Sequence, residues 1–84
     1  MYEVRIIRAA ENDLKRISLT NTKRISKSIR SLSDNPRPKG CVKLRGADNE
    51  WRIRVGDYRV IYAIDDKAKN VTLTDIKHRR QAYT

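Results

Sequence analysis

Apolar residues recur with two different periods along this chain, and the change of period separates a helical part from a strand-forming part. At the start, the segment from Tyr2 to Ile6 alternates between apolar and charged residues, which predicts a strand. Ala10, Leu14 and Ile17 then fall at i, i+4 and i+7, the spacing of one face of a helix. The chain is therefore expected to begin with a strand and a short amphipathic helix.

A second amphipathic helix is predicted directly after the first. Its apolar stripe consists of Ile25, Ile29 and Leu32, again at i, i+4 and i+7. The polar segment from Ser18 to Thr22 ends the first helix, and Asn21 or Thr22 is expected to cap the second. Pro36 ends the second helix, because the residue before a proline disfavours the helical conformation.

Beyond a basic loop at 36–40 the period becomes two. The segments Trp51 to Val55 and Tyr58 to Ile64 alternate, and the two-residue turn Gly56-Asp57 between them has glycine first, which favours a type II′ hairpin. In that register Trp51 faces Tyr62 and Arg54 faces Arg59. The apolar members share one face, which is expected to meet the helices, and the other face carries Arg52, Arg54 and Arg59.

One further strand, Val71 to Ile76, follows a polar turn at 65–70. The predicted order is β-α-α-β-β-β, an α+β fold with two N-terminal helices packed on one face of an antiparallel sheet. With 84 residues, the chain is expected to form a single domain spanning residues 1–84.

The charge narrows the choice of partners. Twenty Lys and Arg residues against ten Asp and Glu give a net charge of +10, which suggests a polyanion: nucleic acid, an acidic protein or an anionic membrane surface. No apolar run approaches the roughly 20 residues of a membrane span, and Met1 to Arg8 lacks the apolar core of a secretory signal. The single Cys41 excludes an internal disulfide and a multi-cysteine zinc site. A cytoplasmic location is expected.

The opposed pair of Arg54 and Arg59 is the strongest hint of chemistry in the hairpin. Like charges directly opposite each other destabilise a sheet. The pair makes sense if an anion normally lies between the two side chains, because the planar guanidinium suits phosphate geometry. The alternative is a solvated sheet face with the two arginines splayed apart.

Other polar groups are expected to join this surface; in the alternative interpretation, His78 is an ordinary surface residue and Tyr83 belongs to a disordered terminus. Near the hairpin or beyond the last strand the sequence carries Lys43, Arg45, His78, Arg79, Arg80 and Tyr83. The second helix carries a separate basic face formed by Lys23, Arg24, Lys27 and Arg30. That face is either simply solvated or a docking surface for an RNA backbone, where phosphate contacts set the position.

Three segments taken together resemble the RelE/ParE superfamily of bacterial and archaeal toxins. They are Lys43 to Gly46 (KLRG), Trp51 to Tyr62 (WRIRVGDYRVIY) and Ile76 to Tyr83 (IKHRRQAY). Each segment alone is a weak signal, whereas the set is specific and, with the leading strand and helices, covers essentially the whole chain. The family has a compact fold similar to that of microbial ribonucleases, in agreement with the predicted order.

The resemblance implies the toxin of a type II toxin–antitoxin pair. RelE-like members cleave messenger RNA in the ribosomal A site and so inhibit translation. Their basic catalytic residues match Arg52, Arg54 and Arg59 here, and their C-terminal tyrosine matches Tyr83. A further family arginine is assigned to Arg79, with Arg80 and Lys77 as alternatives. The implied partners are messenger RNA at the ribosome and an antitoxin with an acidic, partly disordered segment. The toxin–antitoxin complex would bind operator DNA through the antitoxin. No cofactor, metal or membrane is expected.

Cleavage by attack of a ribose 2′-OH needs a base, positive charge around the phosphorus and assistance to the leaving oxygen. Arg54 and Arg59 suit the charge role, and His78 or Arg79 would assist the leaving group. Tyr83 is a better base than Arg52, because arginine stays protonated near neutral pH.

Two other functions stay open at this point. A ParE-like toxin would act on DNA gyrase and keep the fold without the catalytic set. A non-catalytic nucleic-acid-binding module would bind reversibly, but base stacking needs exposed rings and only 6% of the residues are aromatic.

Overall fold

The structure is a computed structural model that describes residues 1–46 and 48–82. Its elements are β1 (Glu3–Ile6), α1 (Arg8–Lys15), α2 (Leu19–Ser31), β2 (Val42–Lys43), β3 (Glu50–Val55), β4 (Tyr58–Asp65), β5 (Asn70–His78) and α3 (Arg79–Ala82). The predicted α+β order is confirmed. The structure adds the two-residue strand β2 and the short helix α3, which are too brief to leave a periodic signal.

The five strands form one sheet in the order β1-β5-β4-β3-β2. Neighbouring strands are antiparallel except for β1, which pairs in parallel with β5, from Glu3 opposite Asn70 to Ile6 opposite Leu73. The parallel pair joins the first strand to the last one. It makes β1 one edge of the sheet, and β2 forms the other edge.

The core lies between the helices and one face of the sheet. Ala10 of α1 and Ile25, Ile29 and Leu32 at the end of α2 are buried, as the helical spacing predicts. The sheet contributes its alternate residues, and those that are buried are Ile53, Val60, Tyr62, Ile64, Val71, Leu73 and Ile76. The opposite face of the sheet carries the arginines, so the predicted division of the hairpin into an apolar and a basic face is confirmed.

The cap of α2 differs from the expectation. Ser18, not Asn21 or Thr22, is the N-cap, and its side chain accepts a hydrogen bond from the backbone N–H of Asn21 at 3.4 Å. Thr22 instead donates from its hydroxyl to the carbonyl oxygens of Leu14, at 3.2 Å, and of Ile17, at 3.3 Å. With Ser18 as its cap, α2 begins at Leu19, earlier than a cap at Asn21 or Thr22 would place it.

The basic loop at 36–40 is tied to the far end of the sheet by a cluster of polar contacts. The guanidinium of Arg37 makes two hydrogen bonds to the Asp66 carboxylate, at 2.9 and 3.2 Å, and lies 5.0 Å from the centre of the Trp51 ring. Tyr2 donates its hydroxyl to the same carboxylate at 2.6 Å. The Arg37 and Tyr2 hydrogen bonds lower the pKa of Asp66 to about 2. This cluster anchors the loop that leads into β2.

A buried hydroxyl adds a second anchor for the same loop. Tyr62 is fully buried, and its hydroxyl donates to the carbonyl oxygen of Pro36 at 2.7 Å. Burial raises the pKa of this phenol well above its ordinary value, so it remains a hydrogen-bond donor. Both anchors lie away from the turn that joins β3 to β4.

Candidate functional site

Three cations lie side by side across three adjacent strands. Arg54 on β3 is paired with Arg59 on β4, as the hairpin register predicts, and Arg59 is paired with Lys77 on β5. Neighbouring strands are about 4.8 Å apart, so the three side chains start from one narrow row. Asp75 contacts Lys77 at 3.3 Å, between the carboxylate Oδ2 and Nζ. The row concentrates positive charge at the end of the sheet beside the hairpin turn.

A break in the β4–β5 register creates this row. Tyr62 pairs with Leu73, but the preceding residue Ile61 pairs with Asp75, so Thr74 is an extra residue on β5. Such a bulge shifts the register by one and exchanges the faces of the residues beyond it. Without it Lys77 would lie opposite Tyr58 and not Arg59. The bulge also turns Ile76 into the core, where it is buried.

The row borders a cleft of about 220 Å³ at the hairpin turn. Its lining residues are Arg54, Gly56, Asp57, Tyr58, Arg59 and Arg79. Three guanidinium-bearing residues from β3, β4 and the start of α3 thus surround one cavity. An arrangement of this kind binds an anion that carries several oxygen atoms, such as a phosphate.

The hairpin turn fixes the position of Arg79. The backbone N–H of Arg79 donates to the carbonyl oxygen of Asp57 at 2.7 Å, and the Asp57 carboxylate lies 3.9 Å from the Arg79 guanidinium. Both side chains are mostly exposed, so the ion pair itself adds little stability. The backbone hydrogen bond places the first residue of α3 at the cleft.

The turn also contacts the second helix. Gly56 has a φ of 59°, and a Cβ added to it would lie 3.2 Å from Nη1 of Arg24. Asp57 keeps a negative φ, so the turn has the single positive φ at its first central residue that the predicted type II′ hairpin requires. Arg24 therefore lies directly over the turn that borders the cleft, although the sequence assigns it only to a helix surface.

Several predicted residues lie elsewhere. Arg52 is on the face and strand of Arg54, opposite Ile61, and does not line the cleft. Lys43, expected near the arginines, is paired with Trp51 and so projects from the helix face of the sheet. Four more predicted residues are exposed and do not line the cleft: Arg45, Arg80, Lys23 and Lys27.

His78 also lies on the helix face and not with the arginines. It pairs with Tyr58 across β4 and β5, and the two rings meet edge to face with centroids 5.2 Å apart. Nδ1 of His78 accepts a hydrogen bond from the backbone N–H of Arg80 at 3.2 Å. This contact assigns the neutral ring its proton on Nε2 and holds the start of α3 against β5.

Tyr83 lies outside the described residues, so its predicted role as a base stays a prediction. Within residues 1–46 and 48–82 no group of three or more His, Cys, Asp and Glu side chains is arranged to hold a metal ion. In the same part of the chain, no helix is both long and apolar enough to cross a membrane.

A comparison with known families decides the classification. The sequence model of the family described as "ParE toxin of type II toxin-antitoxin system, parDE" matches residues 4–83. The chain belongs to the RelE/ParE superfamily of toxins. It is also 31% identical over 85 aligned residues to the protein named RelE1 of Methanocaldococcus jannaschii, covering 98% of this chain and 94% of that relative.

Solved structures of the superfamily share the fold. The RelE of an archaeal RelE–RelB complex from Pyrococcus horikoshii superposes with a TM-score of 0.84 at 29% identity, over 93% of this toxin and 94% of that chain. The RelBE2 toxin–antitoxin complex of Mycobacterium tuberculosis gives a TM-score of 0.82 at 28% identity, over 93% and 98% of the two chains. The matches span almost the full length of each relative.

Three residues that line this toxin's cleft, Gly56, Asp57 and Tyr58, were not predicted as site residues from the sequence. Asp57 is an acidic residue in the turn between two strands that carry arginines. An acidic residue surrounded by basic ones in the sequence indicates a side chain that pairs with one of them. The sequence predicts Arg24 on the basic face of α2, but nothing in the pattern of that helix shows which of its basic side chains meets a glycine 32 residues later.

Proposed function

We propose that this toxin is a ribosome-dependent endoribonuclease that cleaves messenger RNA in the A site and inhibits translation. The observation that carries the proposal is the cleft at the hairpin turn, lined by Arg54, Arg59 and Arg79. A dianionic phosphorane-like transition state needs such convergent positive charge, and preorganised donors at developing charge are the largest single contribution in many enzymes. The identity to RelE1 and to the RelE of P. horikoshii supports the same assignment.

The reaction is an internal transesterification. The ribose 2′-oxygen forms a bond to the adjacent phosphorus, the bond from phosphorus to the 5′-oxygen breaks, and the products carry a 2′,3′-cyclic phosphate and a 5′-hydroxyl. Arg54 and Arg59 stabilise the two non-bridging oxygens. Arg79 lies against the same cleft and donates a hydrogen bond to the leaving 5′-oxygen, which takes its proton from water. His78 is less suited to that role, because its ring is on the other face of the sheet.

The 2′ proton needs an acceptor, and we assign that role to Tyr83. Arg52 keeps its proton near neutral pH and is assigned to binding the RNA backbone. Neighbouring cations favour ionisation of a phenol. A Tyr83→Phe variant should lose most cleavage while retaining RNA binding. Undiminished cleavage by that variant would remove Tyr83 from the mechanism.

The same basic surface is the proposed antitoxin site. P. horikoshii RelE and the M. tuberculosis toxin were solved in complexes with antitoxins. The row of Arg54, Arg59 and Lys77 complements an acidic, partly disordered antitoxin segment, which would order on binding. A bound antitoxin would cover the cleft and raise the melting temperature of the toxin.

The decisive test is primer extension on messenger RNA in a translating extract. Wild-type toxin should produce cuts within codons only during translation, and Arg59→Ala should reduce them about 100-fold or more, the range for losing one charge-stabilising donor. Arg5→Ala is the matched control, because it removes one exposed arginine from β1, an edge strand that β5 separates from the β4 strand of Arg59. Intact RNA with folded wild-type protein would overturn the proposal.

A ParE-like action on DNA gyrase is the second candidate, because the matching family model is described as ParE toxin. A supercoiling assay with purified gyrase separates the two. Inhibition of supercoiling with intact RNA in the translating extract would favour the gyrase target. Salt-sensitive RNA binding without products in either assay would indicate a simple binding module.

A further inference from the structure

The short helix α3 begins with two backbone N–H groups whose acceptors lie outside the helix. The N–H of Arg79 donates to the carbonyl oxygen of Asp57 at 2.7 Å, and the N–H of Arg80 donates to Nδ1 of His78 at 3.2 Å. The first N–H groups of a helix have no partner within it, so acceptors of this kind fix where it begins. His78 therefore caps the helix whose first residue, Arg79, lines the phosphate cleft.

The sheet holds the ring of His78 away from the cleft. His78 pairs with Tyr58 across β5 and β4, and the two rings meet at 86° with their centroids 5.2 Å apart. The ring is half-buried and lines a separate cavity on the helix face of the sheet, and His78 is not among the residues that line the cleft. The connection from His78 to the cleft is the hydrogen bond to α3 and, through α3, Arg79.

Only the neutral ring of His78 can make this cap. Nδ1 accepts a hydrogen bond while it carries no proton, whereas both nitrogens of an imidazolium are donors. Protonation would set two N–H donors against each other and add positive charge beside the N–H groups at the start of α3. An imidazole changes its charge between about pH 5 and 8, and His78 is the only histidine in the sequence.

The charged groups that face His78 have both signs. Asp13 and Arg16, from α1 and the residue that ends it, line the same cavity as His78. Tyr58 faces the ring from β4, and the arginines at the start of α3 follow it in the chain. Asp13 attracts a positive charge on the ring, and the arginines repel it. Their balance sets the pH at which the ring gains its proton, whereas the loss of the acceptor follows from the proton itself.

We propose that His78 is a positioning residue that makes cleavage depend on pH: its neutral ring holds Arg79 at the cleft, and its protonated ring releases it. The inference rests on the proposed ribonuclease function, in which Arg79 contacts the leaving 5′-oxygen. Misplacing such a group by about 1 Å can slow a reaction about 100-fold. RNA would still bind, because Arg54 and Arg59 stay on their strands and the ring gains positive charge. In acid, kcat therefore falls while KM does not rise.

Two amide variants separate the cap from the other properties of the ring. Asn has its acceptor oxygen at the position of Nδ1 and does not titrate, whereas Gln has its acceptor one bond further out, at the position of Nε2. Cleavage of messenger RNA on purified ribosomes gives kcat and KM from about pH 6 to 8, the range in which an imidazole titrates. His78→Gln should lower kcat about tenfold at every pH without raising KM.

His78→Asn should cleave like the wild type at the alkaline end of this range. Below it the wild type should become slower than His78→Asn, by about tenfold once about nine-tenths of its rings are protonated. Any titration of the base Tyr83 is common to both proteins and cancels in their ratio. Thermal unfolding at each pH confirms that both proteins are folded.

A second measurement does not depend on cleavage. In NMR spectra the ring resonances of His78 give the fraction that is protonated, and the backbone amide resonances of Arg79 and Arg80 report on the start of α3. In the wild type these amide resonances should shift with the same midpoint as the ring. In His78→Asn they should stay constant over the same range of pH.

The outcomes separate this inference from the proposed function. Amide resonances that do not follow the ring, or parallel pH profiles for the wild type and His78→Asn, overturn the inference even if the toxin cleaves messenger RNA. A rise of KM in acid at constant kcat would assign the pH effect to RNA binding and also overturn it. Amide shifts that follow the ring and vanish in His78→Asn support the positioning of Arg79 by His78 even if the toxin cleaves nothing.

Discussion

Replacing Arg54 by glutamate should stabilise the toxin and inactivate it at the same time. Arg54 faces Arg59 directly, and Arg59 faces Lys77, so the wild-type row opposes like charges across two strand pairs. Arg54→Glu exchanges the Arg54–Arg59 repulsion for an attraction. Cross-strand charge pairs are each worth roughly 0.2–1 kcal/mol, so the exchange amounts to about 1 kcal/mol.

That free energy is measurable in a domain of this size. A change of about 1 kcal/mol shifts the melting temperature of a domain of 60–100 residues by roughly 4–8 °C. The assay is thermal unfolding of the free toxin at low ionic strength and again in about 1 M salt, where the Debye length falls to about 3 Å. The gain should shrink in high salt, and Arg54→Gln, which removes only the repulsion, should give about half of it.

One control variant and two outcomes define what would refute the electrostatic reasoning. Arg5→Glu lowers the net charge by the same amount but introduces a second carboxylate beside Glu3, so it should not stabilise. If the Arg54→Glu toxin melts at or below the wild-type temperature, repulsion between the cations of the row does not destabilise the wild-type toxin. A gain that is the same in high salt would assign it to something other than charge. Messenger RNA cleavage by Arg54→Glu should fall by about 100-fold or more.

Three further predictions concern the scaffold. Tyr62→Phe should lower the free energy of unfolding in urea by about 1–3 kcal/mol, because it leaves the buried Pro36 carbonyl without its hydrogen-bond donor at 2.7 Å. An unchanged urea midpoint would contradict this prediction. Gly56→Ala should lower the free energy of unfolding by about 1–3 kcal/mol, because φ is 59° at this position. It should also move the Arg24 side chain, because the new Cβ would lie 3.2 Å from the guanidinium. The pKa of Asp66 is about 2 in the folded toxin, against an ordinary value of 3.8. The ionised carboxylate therefore stabilises the folded toxin above pH 4, and this contribution is lost as the pH falls towards 2. Wild type and Asp66→Asn should therefore differ in unfolding midpoint at pH 6 and converge near pH 2.

Local patterns in the sequence were sufficient to predict the two longer helices, the hairpin and the arginine face of the site. The alternation from Trp51 to Ile64 fixes which residues share a face, and the two-residue turn fixes the register, so Arg54 opposite Arg59 could be predicted. The apolar stripes of α1 and α2 could likewise be predicted, because residues three or four apart in the chain lie on the same side of a helix. The toxin family could also be inferred from the sequence, through three short motifs taken together.

Contacts between distant segments were decided only in the tertiary structure. The bulge at Thr74 changes the register of β5, so Lys77 joins Arg59 while His78 joins Tyr58 on the other face. Its one trace in the sequence is the three-residue step between the buried Leu73 and Ile76, which breaks the alternation. The hydrogen bond from Arg79 to Asp57 depends in turn on that register.

The sequence by itself determined helices α1 and α2, strands β1 and β3–β5 and the opposed arginines, because each depends on residues that are close together in the chain. It determined the toxin family through three motifs taken together. The tertiary structure alone decided that β1 pairs in parallel with β5, that Arg24 covers Gly56, and that Lys43 and His78 lie apart from the arginine cleft. Strand pairing and side-chain contact between remote segments are set by the packing of the whole core. A change of one residue in register exchanges the two faces of a strand, and the local pattern records it only as the three-residue step from Leu73 to Ile76.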